Sequence, residues 1–129
     1  MKSTPTTPQP VLAQLELLLG QARFAGVNLE VKGSARLLAP GIELAGFRIV
    51  EHLLLTLAAD PTTAGRVEVT LGSEAIEIRV AGLAARGAQC RAALSAARER
   101  VALHGGSLVT DLRAGRRETV VLLPLAVAA

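Results

Sequence analysis

The sequence predicts an α/β (or α+β) two-layer sandwich, in which a mixed sheet carries helices on one of its faces. Two observations lead to this fold class. Pairs of strand-like segments, in which apolar and polar residues alternate, are joined by short turns that contain glycine. Segments with apolar residues at helical spacing separate these pairs, so helices and hairpins must pack together to bury their apolar sides.

The first half of the chain is expected to contain two helices and one strand. Apolar residues recur at helical spacing over residues 11–25, and Gly26 closes this helix. Residues 27–33 alternate as a strand with one wet face does. A long helix begins at Pro40, and Pro61 bars its continuation. The apolar stripe of this helix consists of Ile42, Ala45, Ile49, Leu53 and Leu57, widened by Phe47, Val50 and Leu54.

The second half is expected to contain two hairpins. Residues 67–71 and 76–80 alternate as two strands around a Gly72–Ser73 turn. Residues 107–125 form the second hairpin, which turns near Ala114–Gly115. Two hairpins with a helix between them are consistent with a mixed sheet.

A loop and a helix are expected between the two hairpins. Residues 81–89 contain two glycines and are expected to form the loop. The helix runs from about Gln89 to His104. Gly105 follows it and can adopt the left-handed conformation that commonly ends helices.

The length of 129 residues suits a single domain, expected to span residues 11–129 after a flexible arm at residues 1–10. The Met start and the polar arm favour a complete protein, while a fragment of a larger sensor stays the alternative. Half of the residues are hydrophobic but only 2% are aromatic, so the core should be aliphatic. The chain has neither the run of about 18 apolar residues that a membrane span needs nor a signal-peptide pattern, so a cytoplasmic location without membrane contact is expected.

Composition also argues against a nucleic-acid partner, an internal disulfide and a metal site. The net charge is +3, with basic residues interleaved with acids, and few aromatic residues are present to stack on bases. A nucleic-acid partner is therefore not expected. One cysteine and two widely separated histidines exclude an internal disulfide and offer no set of ligands for a metal site.

Two segments resemble the ATP-binding domain of sensor histidine kinases. The segment RERVALHGG, residues 98–106, is similar to the end of that family's lid, the short helix after it and a double glycine. The segment FRIVEH, residues 47–52, is similar to its first long helix. The resemblance covers residues 11–125. It implies a histidine kinase-like ATPase domain with the Bergerat fold, of the GHKL superfamily that includes gyrases, heat-shock chaperones and mismatch-repair ATPases.

The resemblance implies a metal-binding box on the long helix, with a Glu and an Asn four residues apart. In register with FRIVEH, the Glu position falls on His52 and the Asn position on Thr56, and the family's basic residue falls on Ala59. Mg²⁺ prefers hard oxygen ligands, for which an imidazole and a hydroxyl are poor substitutes. Glu51 is one residue away, which turns its side chain by about 100° on a helix.

The resemblance also implies an Asp-x-Gly motif that recognises adenine and a glycine-rich lid over the phosphates. Ala81 is assigned to the Asp position, with Gly82 retained beside it, and the lid glycines fall on Ala93 and Ala96. Because alanine favours helix, the lid is expected to be part of the helix that begins near Gln89. All three parts of the pocket are thus degenerate. ATP and Mg²⁺ are expected as cofactors only if the degenerate pocket is still competent.

The first functional hypothesis is a catalytically inactive domain that acts as a protein-interaction and regulatory module in two-component-type signalling. A kinase, a response regulator or a second copy of the chain would be its partner. The residues assigned to an interface are Leu17 and Leu18 on the first helix and Arg98 and Arg100 on the last one. The alternative is a divergent ATP-binding kinase domain, of the sensor-kinase or anti-sigma type, that acts on a partner in trans.

A third hypothesis is phosphotransfer by a histidine. The spacing of His52 and Thr56 is similar to that of some phospho-accepting helices, although Leu53 stands where an acid usually follows the histidine. His52 is therefore expected to fill the former pocket and to form a local hydrogen bond. His104 is expected to act at the helix C-terminus, where a cation is favourable, and Cys90 to pack inside its helix.

Overall fold

The structure, a computed structural model, describes residue 17 and residues 26–33, 40–58 and 65–125. These residues form the elements β1 (Val27–Gly33), α1 (Pro40–Leu54), β2 (Gly65–Leu71), β3 (Ala75–Leu83), α2 (Ala88–Leu103), β4 (Ser107–Arg113) and β5 (Arg116–Pro124). The arm at residues 1–10 and the helix predicted for residues 11–25 lie outside the described residues, except that Leu17 is helical and exposed. From the first strand onward, the predicted order of elements is confirmed.

The strands form one mixed sheet in the order β1-β2-β3-β5-β4. β1 lies parallel to β2, and the other neighbouring strands are antiparallel. Both predicted hairpins are therefore present. β1 and β4 are the two edges of the sheet in the described part of the chain.

One face of the sheet packs against both helices and forms the core. Side chains of β2, β3 and β5 alternate, and their buried members join Ile49 and Leu53 of α1 and Ala97 and Val101 of α2 in one cluster. The strand residues of this cluster are Val67, Val69, Leu71, Ile76, Ile78, Val80, Val121 and Leu123. The predicted sandwich with helices on one face, and its aliphatic core, are confirmed. The opposite face carries charged residues and is called the outer face below.

Helix α1 buries its predicted apolar stripe but ends earlier than expected. All the predicted stripe residues are buried except Phe47, which is half-buried. The helix ends at Leu54, and the next three N–H groups donate to carbonyls three residues back. The N–H of Ala58 then donates to the carbonyl of Leu83 at 2.7 Å, and the Leu57 backbone pairs with Ala84. The helix stops because these backbone groups bond to the end of β3.

The prediction of a loop over residues 81–89 was wrong for its first three residues. β3 continues through Leu83, because residues 81–83 pair with residues 116–118 of β5. The first hairpin turn is also displaced from the predicted Gly72–Ser73. The N–H of Gly72 donates to the Ala75 carbonyl at 3.0 Å, so residues 73 and 74 are the central pair of the turn.

Helix α2 confirms the predicted ending. Gly105 has a φ of 69°, its N–H donates to the Ala102 carbonyl, and the N–H of Gly106 donates to the Val101 carbonyl. This pair of bonds is that of a Schellman motif, which satisfies carbonyls at a helix end. The second hairpin turns at Ala114 and Gly115, as predicted, and both residues have positive φ values.

Candidate functional site

The candidate site lies where the end of α1 meets the end of β3. The metal-box positions are found at the last turn of α1 and just beyond it. The Glu51 carboxylate accepts a hydrogen bond from Arg48 at 2.8 Å, on the exposed side of the helix. Glu51 therefore does not replace the carboxylate expected at position 52. Ala59 lies outside the described residues.

Thr56 is fully buried, and its hydroxyl is engaged within its own segment. It donates to the Leu53 carbonyl at 2.6 Å, while the carbonyl of Thr56 accepts from the N–H of Ala85 at 2.9 Å. Since α1 ends at Leu54, Thr56 belongs to a turn and is not on the helix with His52. The His-x-x-x-Thr spacing thus does not produce two side chains on one helical face.

His52 is half-buried at the C-terminal end of α1, in a positively charged environment. Burial lowers the pKa of its ring below the ordinary value of 6.5, and the charge of Arg100 on α2 lowers it further. Glu51 opposes these effects, and Arg48 adds a smaller contribution in the same direction as Arg100. His52 therefore favours its neutral form. No hydrogen bond of the ring is present within residues 26–33, 40–58 and 65–125, so the expected local bond is not found there.

At the end of β3, side chains point alternately to the two faces of the sheet, and that of Ala81 points away from the helices. Ala81 lies on the outer face, whereas its neighbour Val80 points towards the helices and is buried in the core. Ala81, the residue assigned to the aspartate position of Asp-x-Gly, therefore points away from the helices. Neither residue carries a carboxylate.

Gly82 is buried against Leu57, at the point where the segment after α1 crosses the end of β3. A Cβ atom at Gly82 would lie 3.1 Å from a Leu57 methyl carbon and 3.4 Å from the Cα of Gly65. The space above this glycine is thus filled by an aliphatic side chain. The retained glycine serves packing here.

Ala81 lines a shallow hollow of about 290 Å³ on the outer face. Its walls are formed by charged side chains that pair with one another. Arg66 bonds to Glu68 at 3.0 Å, and Arg79 bonds to Glu118 at 3.3 Å. The hollow therefore presents internally neutralised ion pairs, and it lies on the opposite side of the sheet from the helices.

The lid positions lie inside a regular helix, as predicted. α2 is continuous from Ala88 to Leu103, Ala93 is buried and Ala96 is half-buried. Cys90 is also buried in this helix, as expected.

The two arginines assigned to an interface point in different directions. Arg98 is exposed, whereas Arg100 is half-buried, its Nε is buried without a hydrogen-bond partner in the described part of the chain, and its charge acts on His52. One face presenting both arginines is therefore not formed. Leu17 is exposed, and Leu18 lies outside the described residues.

A polar group that sequence reasoning missed lies on the helix-facing side of β4 and β5. Thr119 is buried opposite Val80, and its hydroxyl is 3.0 Å from that of Thr110. An Arg117 Nη1 atom donates to Thr110 at 3.0 Å, and Arg117 Nε is buried without a hydrogen-bond partner among the described residues. The only signal in the sequence was the period of two, which places residues 117 and 119 on the same face as Val121 and Leu123.

No known family model matches this sequence, and no curated protein matches it. Solved structures do match. The catalytic domain of histidine kinase ThkA is 11% identical, with a TM-score of 0.59 over 89% of this chain and 90% of that one. The Mycobacterial sensor histidine kinase MprB is 16% identical, with a TM-score of 0.58 over 92% and 95% of the two chains. The histidine kinase domain of the Erythrobacter litoralis blue-light activated kinase is 12% identical, with a TM-score of 0.64 over 95% and 67%.

The chain has the fold of a histidine kinase-like ATPase domain. This confirms the fold that the resemblance implied. None of the helices in the described part of the chain is long and apolar enough to span a bilayer.

The residues present at the metal-box positions do not fit Mg²⁺. Mg²⁺ requires an octahedral shell of oxygen ligands. In this chain one position offers a ring with a lowered pKa and the other a hydroxyl that already donates to Leu53. Within residues 26–33, 40–58 and 65–125, no three His, Cys, Asp or Glu side chains lie close enough together to hold a metal.

Acidification is expected to destabilise the domain through His52. Its pKa in the folded state is lowered, so over a window below pH 6.5 the unfolded chain binds the proton more readily. The free energy of unfolding is then unaffected by this group well above pH 6.5, and it decreases as the pH falls through 6.5 towards the lower pKa of the folded state. Urea denaturation followed by circular dichroism at several pH values measures this dependence, and His52→Gln should weaken it.

The ring protons of His52 provide a second measurement of the same effect. In an NMR titration, Arg100→Gln should raise the pKa of His52, because it removes a nearby positive charge. Arg98→Gln is the matched control, since Arg98 is exposed on the same helix. An unchanged pKa in Arg100→Gln, or equal pH dependence in wild type and His52→Gln, would contradict the role given to this environment.

Proposed function

We propose that this domain has lost Mg-ATP binding and acts in two-component-type signalling as a protein-interaction and regulatory module. The observation that carries the proposal is that the positions for metal, base and phosphates are all altered together. They hold an imidazole and a buried, bonded hydroxyl, the methyl side chain of Ala81, and the alanines of a continuous helix. Other residues could compensate for one such change. Three changes together remove the contacts to the metal, to the base and to the phosphates.

The packing of α2 supports the loss of a phosphate-binding lid. A lid must bring backbone N–H groups to the phosphates, which requires glycines and freedom to move. In α2 the N–H groups of the lid positions belong to a regular helix, and Ala97 of the same helix is fully buried in the core. Opening this segment would break helical hydrogen bonds and expose part of the core.

The loss of base recognition is supported by the end of β3. Adenine presents an amino group that needs an acceptor, and a buried donor without one costs about 1–3 kcal/mol. Ala81 offers only a methyl group and lies on the outer face, and Leu57 fills the space above Gly82. The function we propose is therefore binding without catalysis. The rigid sandwich presents a surface to a kinase, a response regulator or a second copy of the chain.

Titration calorimetry with Mg-ATP tests the proposal directly. We expect no heat of binding at millimolar nucleotide and no change in the melting temperature by differential scanning calorimetry. A ligand at one hundred times its dissociation constant would stabilise the fold by about 2.7 kcal/mol, so binding at micromolar affinity is readily seen. A nucleotide-binding histidine kinase domain measured in parallel is the positive control.

Micromolar binding of Mg-ATP would overturn the proposal and favour a divergent kinase domain that acts on a partner in trans. The same samples, incubated with an active histidine kinase and labelled ATP, address the third hypothesis. We expect no label on this chain. Acid-labile phosphate that appears on wild type and is lost in His52→Gln would instead indicate phosphotransfer.

A further inference from the structure

Strand β4 presents an unusually accessible edge of the sheet. It is the last strand in the order β1-β2-β3-β5-β4, and only β5 pairs with it among the described residues. Two of its apolar side chains are open to solvent, Val109 at 67% and Leu112 at 55% exposure. The backbone N–H and C=O groups of an edge strand that point away from the sheet are a template for pairing with another strand.

β4 lacks the devices that usually protect an edge strand. It contains no proline or glycine, and its register with β5 runs without a bulge over all seven residues. Its two charges, Asp111 and Arg113, bond to each other at 2.9 Å and so neutralise one another. Edge strands that avoid association commonly carry prolines, bulges or unpaired charges.

The other edge of the sheet differs. β1 places Asn28, Glu30 and Lys32 along the outer face, and Lys32 lies 4.0 Å from Glu68 of β2. Its exposed large apolar residue is Val31, at 38% exposure. β4 therefore exposes more apolar surface than β1 does.

We propose that β4 pairs in antiparallel orientation with β4 of a second copy of this chain, with Thr110 at the two-fold axis. The two sheets then form one continuous sheet. In this register Val109 lies opposite Asp111 of the second copy, Leu108 opposite Leu112, and Ser107 opposite Arg113. This interface goes beyond the proposed function and does not depend on nucleotide binding.

The register centred on Thr110 follows from the residues of the strand. It is the one register that pairs all seven residues of β4 with seven of the other copy. Leu112, exposed in a single chain, then meets Leu108 of the second copy on the helix-facing side. No two like charges are directly opposite, a placement that destabilises cross-strand pairs.

The neighbouring registers are less favourable. Centring the pair on Asp111 places two carboxylates opposite each other across the axis. Centring it on Val109 brings Gly105, with a φ of 69°, into the pairing, although extended strands need negative φ values. A shift in either direction therefore loses contacts or adds repulsion.

Two substitutions of opposite charge at position 109 test both the proposed interface and its register. Val109→Glu places a carboxylate opposite Asp111 of the second copy at two symmetric positions, and we expect it to raise the dimer dissociation constant by about tenfold or more. Val109→Lys removes the same apolar side chain but places an ammonium opposite Asp111. We expect its dissociation constant to stay within about threefold of wild type or to fall.

Sedimentation equilibrium over a range of concentrations measures these constants, and circular dichroism confirms that each variant is folded. Val31→Glu on β1 is the control for a charge added to the opposite edge, and it should dimerise as wild type does. A wild-type chain that stays monomeric at high micromolar concentration would overturn the proposal. Equal weakening by Val109→Glu and Val109→Lys, or no effect of Val109→Glu, would also overturn it.

Discussion

Leu53→Ala is expected to lower the free energy of unfolding by about 2–5 kcal/mol, the range for a leucine removed from a packed core. Leu53 is 0% exposed and belongs to the cluster that joins α1, α2 and the sheet. Many members of this cluster are valines and isoleucines, whose branched side chains are stiff and extend poorly into a new cavity. The upper half of the range is therefore expected.

Leu44→Ala is the matched control, since it makes the same substitution on the same helix. Leu44 is 51% exposed, and leucine and alanine both favour helix, so its effect should be under about 1 kcal/mol. Because the chain has no tryptophan or tyrosine, urea denaturation is followed by circular dichroism. Equal effects of the two substitutions would contradict the placement of Leu53 in the core.

Gly106→Ala is expected to destabilise the domain by roughly 3 kcal/mol, the upper part of the range for overpacking. A Cβ at this position would overlap the Leu122 carbonyl oxygen, and it would lie 3.2 Å from side-chain atoms of Leu123 and Val101. The carbonyl belongs to the backbone of β5 and cannot move without disturbing the ladder. Gly106 is thus required by the close approach of two backbones.

Gly105→Ala provides the comparison within the same double glycine. A Cβ at Gly105 meets nothing within 4 Å, but its φ of 69° is unfavourable for alanine and costs about 1–2 kcal/mol. The two glycines are therefore needed for different reasons, one for a left-handed conformation and one for space. The same urea measurements would refute this distinction if Gly106→Ala had a free energy of unfolding equal to or higher than that of Gly105→Ala.

The elements with clear local patterns were predictable from the sequence. Strict alternation along β2 and β3 placed Val67 and Ile78 on the apolar face of the sheet, which the structure buries. Helical spacing placed Ile49 and Leu53 against the sheet, and the double glycine marked the end of α2. Such patterns are readable because burial of one face is imposed residue by residue.

The boundaries that depend on distant partners were not predictable. α1 ends at Leu54 because the backbone of residues 56–58 bonds to residues 83–85, and β3 extends to Leu83 because β5 continues beside it. Local propensity favours continuing the helix through leucines and alanine. Hydrogen bonds to segments about 27 residues away decided otherwise, and no local pattern encodes them.

The candidate site was predictable in its positions and less so in its geometry. Motif register identified His52 and Thr56, but only the structure shows that Thr56 is buried in a turn and bonded to Leu53. Motif register assigned Ala81 to the base-recognition position, and only the structure shows that the pleat of β3 turns Ala81 to the outer face and Val80 towards the helices. A one-residue difference in a strand reverses the face, so motif counting alone could not settle it.

Alternation and spacing along the chain were sufficient to specify the sandwich, its aliphatic core and the ends marked by glycine, because each depends on neighbouring residues. The tertiary structure decided where α1 stops, which face each motif residue occupies, that Arg98 and Arg100 diverge, and that β4 is left at an edge. These features depend on which backbone and side-chain groups meet across long separations, where pairing energy and steric contact outweigh local preference.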